Sequence, residues 1–397
     1  MSSILFVTRA VPVAIGPGGK HRTYQIEYEL KSLFGAERVH TLSLVAWQRA
    51  RAAPTAHVAR VTQILRAVQW RASQYWKNPL GLLHQTGYSA RAFTPTPFVA
   101  RYAAMLSTLP QPVITVIDDA RFAGIVAVNR QRHIPTVACL HNLESLDLVD
   151  LARSNSDQRS VWRLHTHLVD LANEVQVLRQ CCARFFISKV ETGFVSGLGL
   201  DAGYHPYLPV GAIRERLETI RRRRAQTPQD PNLFLMLGSA MHAPTQRAFN
   251  CILAQVQAQG LPSGIRLVLV GMDTDKLSVP ALTGVETRGW VDQPELDQLL
   301  VSATAVLVPQ LGGFGAVTRL VELSCAAVPA LVAQHPTLAI NLPPGIHVLD
   351  GALDNAWPMW RTKISELSQT PQPAPWDFAA WAERQPRALL AYLAQWV

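Results

Sequence analysis

The residues best suited to chemistry cluster in three short stretches. The densest is Pro309-Gln310-Leu311-Gly312-Gly313-Phe314-Gly315, followed by Arg319 and Glu322. An apolar run, Ala303 to Val308, precedes it and reads as a buried strand. Val317, Leu320, Val321 and Ser324 recur at helical spacing and predict a helix over 316–327. Glycines between a strand and a helix let backbone N–H groups approach an anion, and the helix dipole favours negative charge there. Arg319 adds a cation, and Glu322, about two turns in, can accept two hydrogen bonds from hydroxyls. The second stretch is His141-Asn142-Leu143-Glu144, after the apolar run Pro135 to Leu140, with Asp118-Asp119 ending a parallel run from Pro112 to Ile117. A neutral imidazole donates or accepts near pH 7, which suits a hydroxyl. Asp119 reads equally as a helix cap. The third stretch is Gly16-Pro17-Gly18-Gly19, after the first strand, Ile4 to Thr8. It reads either as a loop lying against a ligand or as a turn that merely reverses the chain.

These stretches need elements to hold them, and the apolar runs supply strands joined by helical segments. Strands are expected at 4–8, 39–44, 112–117, 135–140, 184–188 and 204–210, then again at 233–237, 265–270, 285–289, 303–308, 330–332 and 343–349. Strand, loop and helix repeated in this way is the pattern of an α/β fold with parallel sheets. In such sheets ligands bind beyond the carboxyl ends of the strands. That edge is where the glycine loop, His141 and the Asp118-Asp119 pair fall. No GxGxxG fingerprint is present, so a bound dinucleotide is not expected. Residues 214–231, with six arginines, read as a solvated linker, and Trp376 to Val397 reads as a terminal helix.

The chain has 397 residues, 48% apolar and 16% charged, which describes a well-buried globular protein of two or three domains. No run approaches the ~20 apolar residues of a membrane span, and the N-terminus reads as a strand rather than a signal peptide. Five cysteines in apolar runs form no metal spacing and no disulfide framework, so a reduced, cytoplasmic protein is expected. The net charge of +9 is uneven: residues 1–207 hold 22 Lys/Arg against 13 Asp/Glu, and the remainder holds 15 of each. Within 47–104, Trp47, Trp70 and Trp76 alternate with arginines, while Val58, Val61, Ile64, Leu65 and Val68 keep helical spacing. This segment reads as a helix with a solvated basic face or as a peripheral contact with an anionic membrane. No nucleic-acid motif is present, so nucleic acid is not an expected partner.

Taken in order, the motifs Gly238-Ser239, Leu267-Val268-Leu269-Val270-Gly271, Gly284 to Val291 and the loop 309–322 resemble the second domain of glycosyltransferases of the two-Rossmann-domain (GT-B) type, family 4 in particular. The resemblance implies two Rossmann-like domains facing a cleft. The first spans 1–207 and binds the acceptor, with a C-terminal helix (about 378–397) crossing back to it. The second spans 208–377 and binds a nucleotide-sugar donor. It implies transfer of the sugar to a glycan, lipid-linked or small-molecule acceptor, with retention of configuration and with neither metal nor cofactor. It assigns catalytic roles to His141 and Glu322. Donor contacts go to Gly18, Gly19, Gly238, Ser239, Trp290, Val291, Gly313, Phe314, Gly315 and Arg319, with His141 reaching the donor sugar across the cleft near 312–315. Three departures stand out. Phe314 occupies the place of a glutamate that touches the donor sugar, Ala327 that of a glycine, and His242, Gln246 and Arg247 follow the loop where an Arg/Lys pair is usual. Two other readings share the fold: a sugar-nucleotide epimerase and a non-catalytic nucleotide-sugar or glycan binding protein.

Overall fold

The structure, a computed structural model, describes residues 2–16, 18–51, 94–153, 158–277, 282–310, 312–350, 353–370 and 376–397. The middle of the Trp/Arg-rich segment lies outside the described residues. The chain divides into two compact units: Met1–His205 with Arg387–Val397, and Pro206–Pro386.

Unit 1 is a parallel sheet of six strands in the order β2-β1-β3-β4-β5-β6. These are β1 (Ser3–Thr8), β2 (Val39–Ser43), β3 (Val113–Ile117), β4 (Thr136–Leu140), β5 (Ala183–Phe186) and β6 (Gly203–Tyr204). β1, β3 and β4 are buried along their whole length, as expected of strands covered on both faces by helices. The helices are α1 (Gly18–Phe34), α2 (Leu44–Arg51), α3 (Thr96–Leu106), α4 (Ala123–Gln131), α5 (Glu144–Arg153), α6 (Gln158–Arg179) and α7 (Lys189–Gly197). One core cluster joins Ile4, Phe6, Val116 and Val137 of the sheet to Ile26 and Leu30 of α1. Leu389 and Leu393, from the last helix of the chain, sit fully buried in that cluster. Arg387 Nη1 donates to Glu29 Oε1 at 2.7 Å, fixing the returning segment.

Unit 2 is a second parallel sheet, in the order β12-β11-β10-β7-β8-β9. Its strands are β7 (Asp230–Leu237), β8 (Arg266–Val270), β9 (Val285–Thr287), β10 (Ala303–Val308), β11 (Ala330–Ala333) and β12 (Ile346–Leu349). The helices are α8 (Gly211–Gln226), α9 (Ala243–Gln259), α10 (Gln293–Ser302), α11 (Thr318–Cys325), α12 (Gln334–Thr337), α13 (Leu353–Gln369) and α14 (Phe378–Glu383). The chain ends in unit 1 with α15 (Ala388–Leu393). All strand pairs in both sheets are parallel.

Two expectations need correction. The arginine-rich stretch after residue 210 is not a solvated connector but α8, a working part of unit 2. Ile213, Leu217, Ile220 and Arg224 fall on one face and are buried. Buried Arg224 donates to the carbonyls of Leu300, Val301, Ala303 and Ala327 at 2.5–3.1 Å, satisfying the end of α10 and the turn after α11. The terminal stretch is not one helix: it breaks at Arg384–Pro386, with Phe378 and Trp381 buried in unit 2. At the end of α11, Ala327 takes a left-handed conformation (φ 56°), so it performs the turn that glycine performs without strain.

Candidate functional site

Each sheet reverses its strand order at one point, and there the crossing helices diverge to opposite faces and leave a crevice. In unit 2 the reversal falls between β7 and β10. Gly238 leaves β7 with φ 148°, and a Cβ there would stand 2.6 Å from Thr245 Cγ2 and 3.2 Å from Arg319 Nη2. Glycine is therefore required by the positive φ and the close approach of the Thr245 methyl, and the Arg319 guanidinium lies beside it. The loop after β10 is pinned from two sides. Gln310 Nε2 donates to the Gly312 carbonyl at 3.0 Å, and His335 Nε2 donates to the Gly313 carbonyl at 2.6 Å. The Phe314 ring packs edge-on against His335, with centroids 6.4 Å apart. Gly313 has φ 91°.

Arg319 lies in the first turn of α11 and is half-buried. Burial holds its pKa below the usual guanidinium range, only partly offset by the charge of Glu322. Among the described residues, no acceptor stands within hydrogen-bonding distance of it. One turn on, Glu322 Oε1 accepts from the Tyr207 hydroxyl at 2.8 Å. The neighbouring loops run side by side. Gly238 N–H donates to the Val270 carbonyl, Ala240 N–H to Met272, and Gly271 N–H to Gly289, at 2.8–3.0 Å. These bonds bring Ser239, whose hydroxyl accepts from Met241 N–H at 3.1 Å, to the same edge as the loop holding Trp290 and Val291. The Trp290 side chain is 66% exposed, and Val291 is half-buried. Gly238, Ser239, Trp290, Val291, Gly313, Phe314, Gly315, Arg319 and Glu322 thus share one carboxyl edge of unit 2.

In unit 1 the reversal falls between β1 and β3. Thr8 ends β1, and Asp118 follows β3. The Asp118 carboxylate is buried and accepts bonds from the Thr8 hydroxyl, from Arg9 N–H (3.0 Å) and from the Thr23 hydroxyl (3.0 Å). His141, beyond the adjacent β4, brings Nε2 to 3.1 Å from Asp118 Oδ2 and 2.9 Å from Thr23 Oγ1. With the Thr23 O–H given to Asp118, both contacts take the imidazole Nε2–H as donor, which fixes that tautomer in the neutral ring. The His141 side chain remains 23% exposed.

Gly18 and Gly19 open α1 rather than a preceding loop. A Cβ at Gly19 would meet nothing within 4 Å, so no close contact demands glycine there. Asp119 caps no helix. It pairs with Arg121, whose bonds and charge outweigh burial and hold the carboxyl below its usual range. Arg121 Nη1 also meets Glu144 at 2.5 Å.

Two buried acids of this edge carry no motif in the sequence. Glu191 Oε1 accepts from Leu143 N–H at 2.6 Å and so anchors the loop after His141. Burial raises its carboxyl well above the usual range. Glu174, on α6, is pushed up to about 8 by burial and then by the charge of Asp119. Helical spacing marks both as inward-facing positions, but only the tertiary fold brings them to His141's edge. Among the described residues, no group of three or more His, Cys, Asp or Glu side chains is arranged to hold a metal ion.

No protein-family model matches the chain, and no curated protein matches it in sequence. Solved structures match it over its full length. HepE of Anabaena, in complex with UDP and glucose, is 14% identical with a TM-score of 0.56, covering 100% of this chain and 99% of that one. Sucrose-phosphate synthase of Thermosynechococcus elongatus is 13% identical with a TM-score of 0.57, covering 98% of this chain and 100% of that one. The UDP-forming α,α-trehalose-phosphate synthase of Burkholderia vietnamiensis is 10% identical with a TM-score of 0.51, covering 100% and 97%. At these identities the likeness is one of fold: two Rossmann-like units, the GT-B architecture of these glycosyltransferases.

Proposed function

We propose that the chain is a glycosyltransferase resembling family 4, moving a sugar from a nucleotide-sugar donor bound by unit 2 to an acceptor bound by unit 1. One observation carries the reading. Arg319, a half-buried cation without a hydrogen-bond acceptor among the described residues, lies against Gly238 at the strand-order reversal of unit 2. A cation withdrawn from water needs an anion to offset its desolvation, and a crevice beside a glycine loop admits one. A nucleoside diphosphate supplies that anion, and HepE, of the same fold, is seen in complex with UDP-glucose.

In this reading Arg319 and the loop amides of Gly313 to Gly315 meet the charge that develops on the leaving diphosphate, in place of a metal. Glu322 accepts from the ribose hydroxyls. Ser239, Trp290 and Val291 border the nucleoside, and Phe314 borders the sugar. His141, held through Nε2–H by Asp118 and Thr23, accepts through Nδ1 from a hydroxyl of the transferred sugar, and Gly18 and Gly19 border the donor at the start of α1. Configuration is retained, and the protein's contribution is mainly positioning.

The acceptor is a glycan or a lipid-linked or small-molecule hydroxyl compound, encountered in the cytoplasm. Peripheral docking through residues 47–104 would bring a lipid-linked acceptor within reach. No helix among the described residues is long and apolar enough to cross a membrane. Co-sedimentation with anionic vesicles that fades as salt rises checks the docking; equal binding to neutral vesicles refutes it.

The test of the main reading is thermal unfolding with UDP, GDP and ADP and their sugars. A nucleotide at 100 times its Kd should add ~2.7 kcal/mol of stability. Absence of any stabilisation would overturn the reading. Stabilisation without turnover on any acceptor would favour a binding protein, and conversion of the donor sugar with no acceptor present would favour an epimerase.

A further inference from the structure

Tyr207 is the second residue of unit 2, immediately after the point where the chain leaves unit 1. Its ring is buried, 2% exposed, and its hydroxyl donates to Glu322 Oε1 at 2.8 Å across 115 positions of sequence. Glu322 projects from α11, half-buried, one turn beyond Arg319. A glutamate in such a place has three rotatable bonds, and fixing them on binding costs affinity. A partner that already holds the carboxylate removes that cost, and it directs the carboxylate's remaining acceptor positions. The neighbouring Leu208 is also buried, so the segment carrying the phenol is anchored by packing as well as by the hydrogen bond.

We propose that Tyr207 is a positioning residue for the nucleoside of the donor: it holds Glu322 in the orientation that receives the vicinal ribose hydroxyls. This rests on the reading of Glu322 given above. The phenol is suited to the task. Burial first, and then the carboxylate itself, push its pKa well above the usual range, so it stays protonated and donating at any working pH. Tyr207→Phe removes only the hydroxyl and keeps the packed ring.

The experiment is calorimetric titration of wild type, Y207F, E322Q and the double variant. The probes are the diphosphate, among UDP, GDP and ADP, that binds wild type most tightly, and its 2′,3′-dideoxy analogue. Y207F is expected to weaken the ribonucleotide on the order of tenfold, the scale of one hydrogen bond to a charged group. It should leave the dideoxy analogue unaffected, and it should add nothing in the E322Q background. The deficit should be constant from about pH 6 to 9, because the phenol does not titrate there.

Wild-type affinity in Y207F beside a weakened E322Q would overturn the role of Tyr207 alone. Equal losses on both probes, or an undiminished loss in the E322Q background, would also overturn it, leaving Tyr207 as packing. Wild-type affinity in E322Q would instead refute the parent assignment of Glu322, and the Tyr207 role with it.

Discussion

Arg319→Met separates a site residue from a structural one, because the two roles predict opposite signs for stability. In the free protein the guanidinium is partly desolvated beside Gly238, with no hydrogen-bond acceptor among the described residues and only the longer-range attraction of Glu322 to offset that. Methionine fills much of the same volume without a charge. Replacing a poorly compensated buried charge by an apolar side chain typically stabilises by ~1–4 kcal/mol; the lost attraction to Glu322 argues for the low end, about 1 kcal/mol. For a unit of this size that raises Tm by ~2–4 °C. The bound state behaves oppositely. A bidentate guanidinium–phosphate contact comprises two charge-assisted hydrogen bonds at ~1.5–3 kcal/mol each, so the variant should lose about 3 kcal/mol or more of binding, at least two orders of magnitude in Kd. Arg319→Lys keeps the charge but not the planar fork and should fall between the two. Calorimetric unfolding with and without UDP, GDP or ADP reads both quantities on one sample. The refuting result is a destabilised free protein with undiminished nucleotide affinity, which would make Arg319 a structural residue and remove the observation on which the proposed function stands.

Two further outcomes follow from unit 1. Asp118→Asn replaces an acceptor by a mixed donor and acceptor, freeing the His141 ring to change tautomer. Transferase kcat should fall by about 10–100-fold with donor affinity little changed, and an unaltered kcat would exclude His141 from contact with the transferred sugar. Burial, and then the charge of Asp119, push the Glu174 carboxyl up to about 8, against an ordinary value of 4.5. The folded state therefore holds this proton where the unfolded chain has released it; the contribution to stability is intact below about pH 4.5 and is lost as pH rises towards 8. At ~1.4 kcal/mol per unit the loss is ~5 kcal/mol at most. Glu174→Gln should flatten the decline in stability between pH 5 and 8 by urea titration, and an unchanged slope would show that Glu174 is ionised in the native state.

The strands were the most legible part of the chain, because each is a short apolar run covered on both faces. Periodicity was harder to trust where charge density suggested something else. α8 shows Ile213, Leu217 and Ile220 at helical spacing, yet its arginines read as a solvated linker. Only the fold reveals that Arg224 belongs to the buried face, where four carbonyls compensate it. α13 gave no expectation at all, although Trp357, Trp360 and Ile364 fill the core of unit 2. Pro358 lies inside it, where a proline removes one backbone hydrogen bond and crowds the carbonyl four residues earlier. Pairings across long sequence separation left no local trace: Tyr207 with Glu322, Arg319 with Gly238, Glu191 with the loop after His141.

The charge asymmetry along the chain reads differently once the fold is known. Residues 1–207 carry a surplus of +9. Five of those basic residues, Arg60, Arg66, Arg71, Lys77 and Arg91, fall in 52–93, which holds no Asp or Glu and lies outside the described residues. At the ligand edge of unit 1 the balance reverses. Asp118, Asp119 and Glu144 gather there with Glu174 and Glu191, whose carboxyls burial keeps protonated, against Arg9 and Arg121, and Arg121 is already committed to Asp119 and Glu144. An anion is poorly served by such an edge. A hydroxyl compound, which needs hydrogen-bond acceptors, is well served by it. The edge of unit 2 has the complementary character, with Arg319 and a pinned glycine loop beside one carboxylate already held by a phenol. The division of labour proposed for the two units, hydroxyl chemistry on the first and diphosphate on the second, thus follows from which charges the fold leaves uncompensated at each strand-order reversal, and not from the net charge of either half.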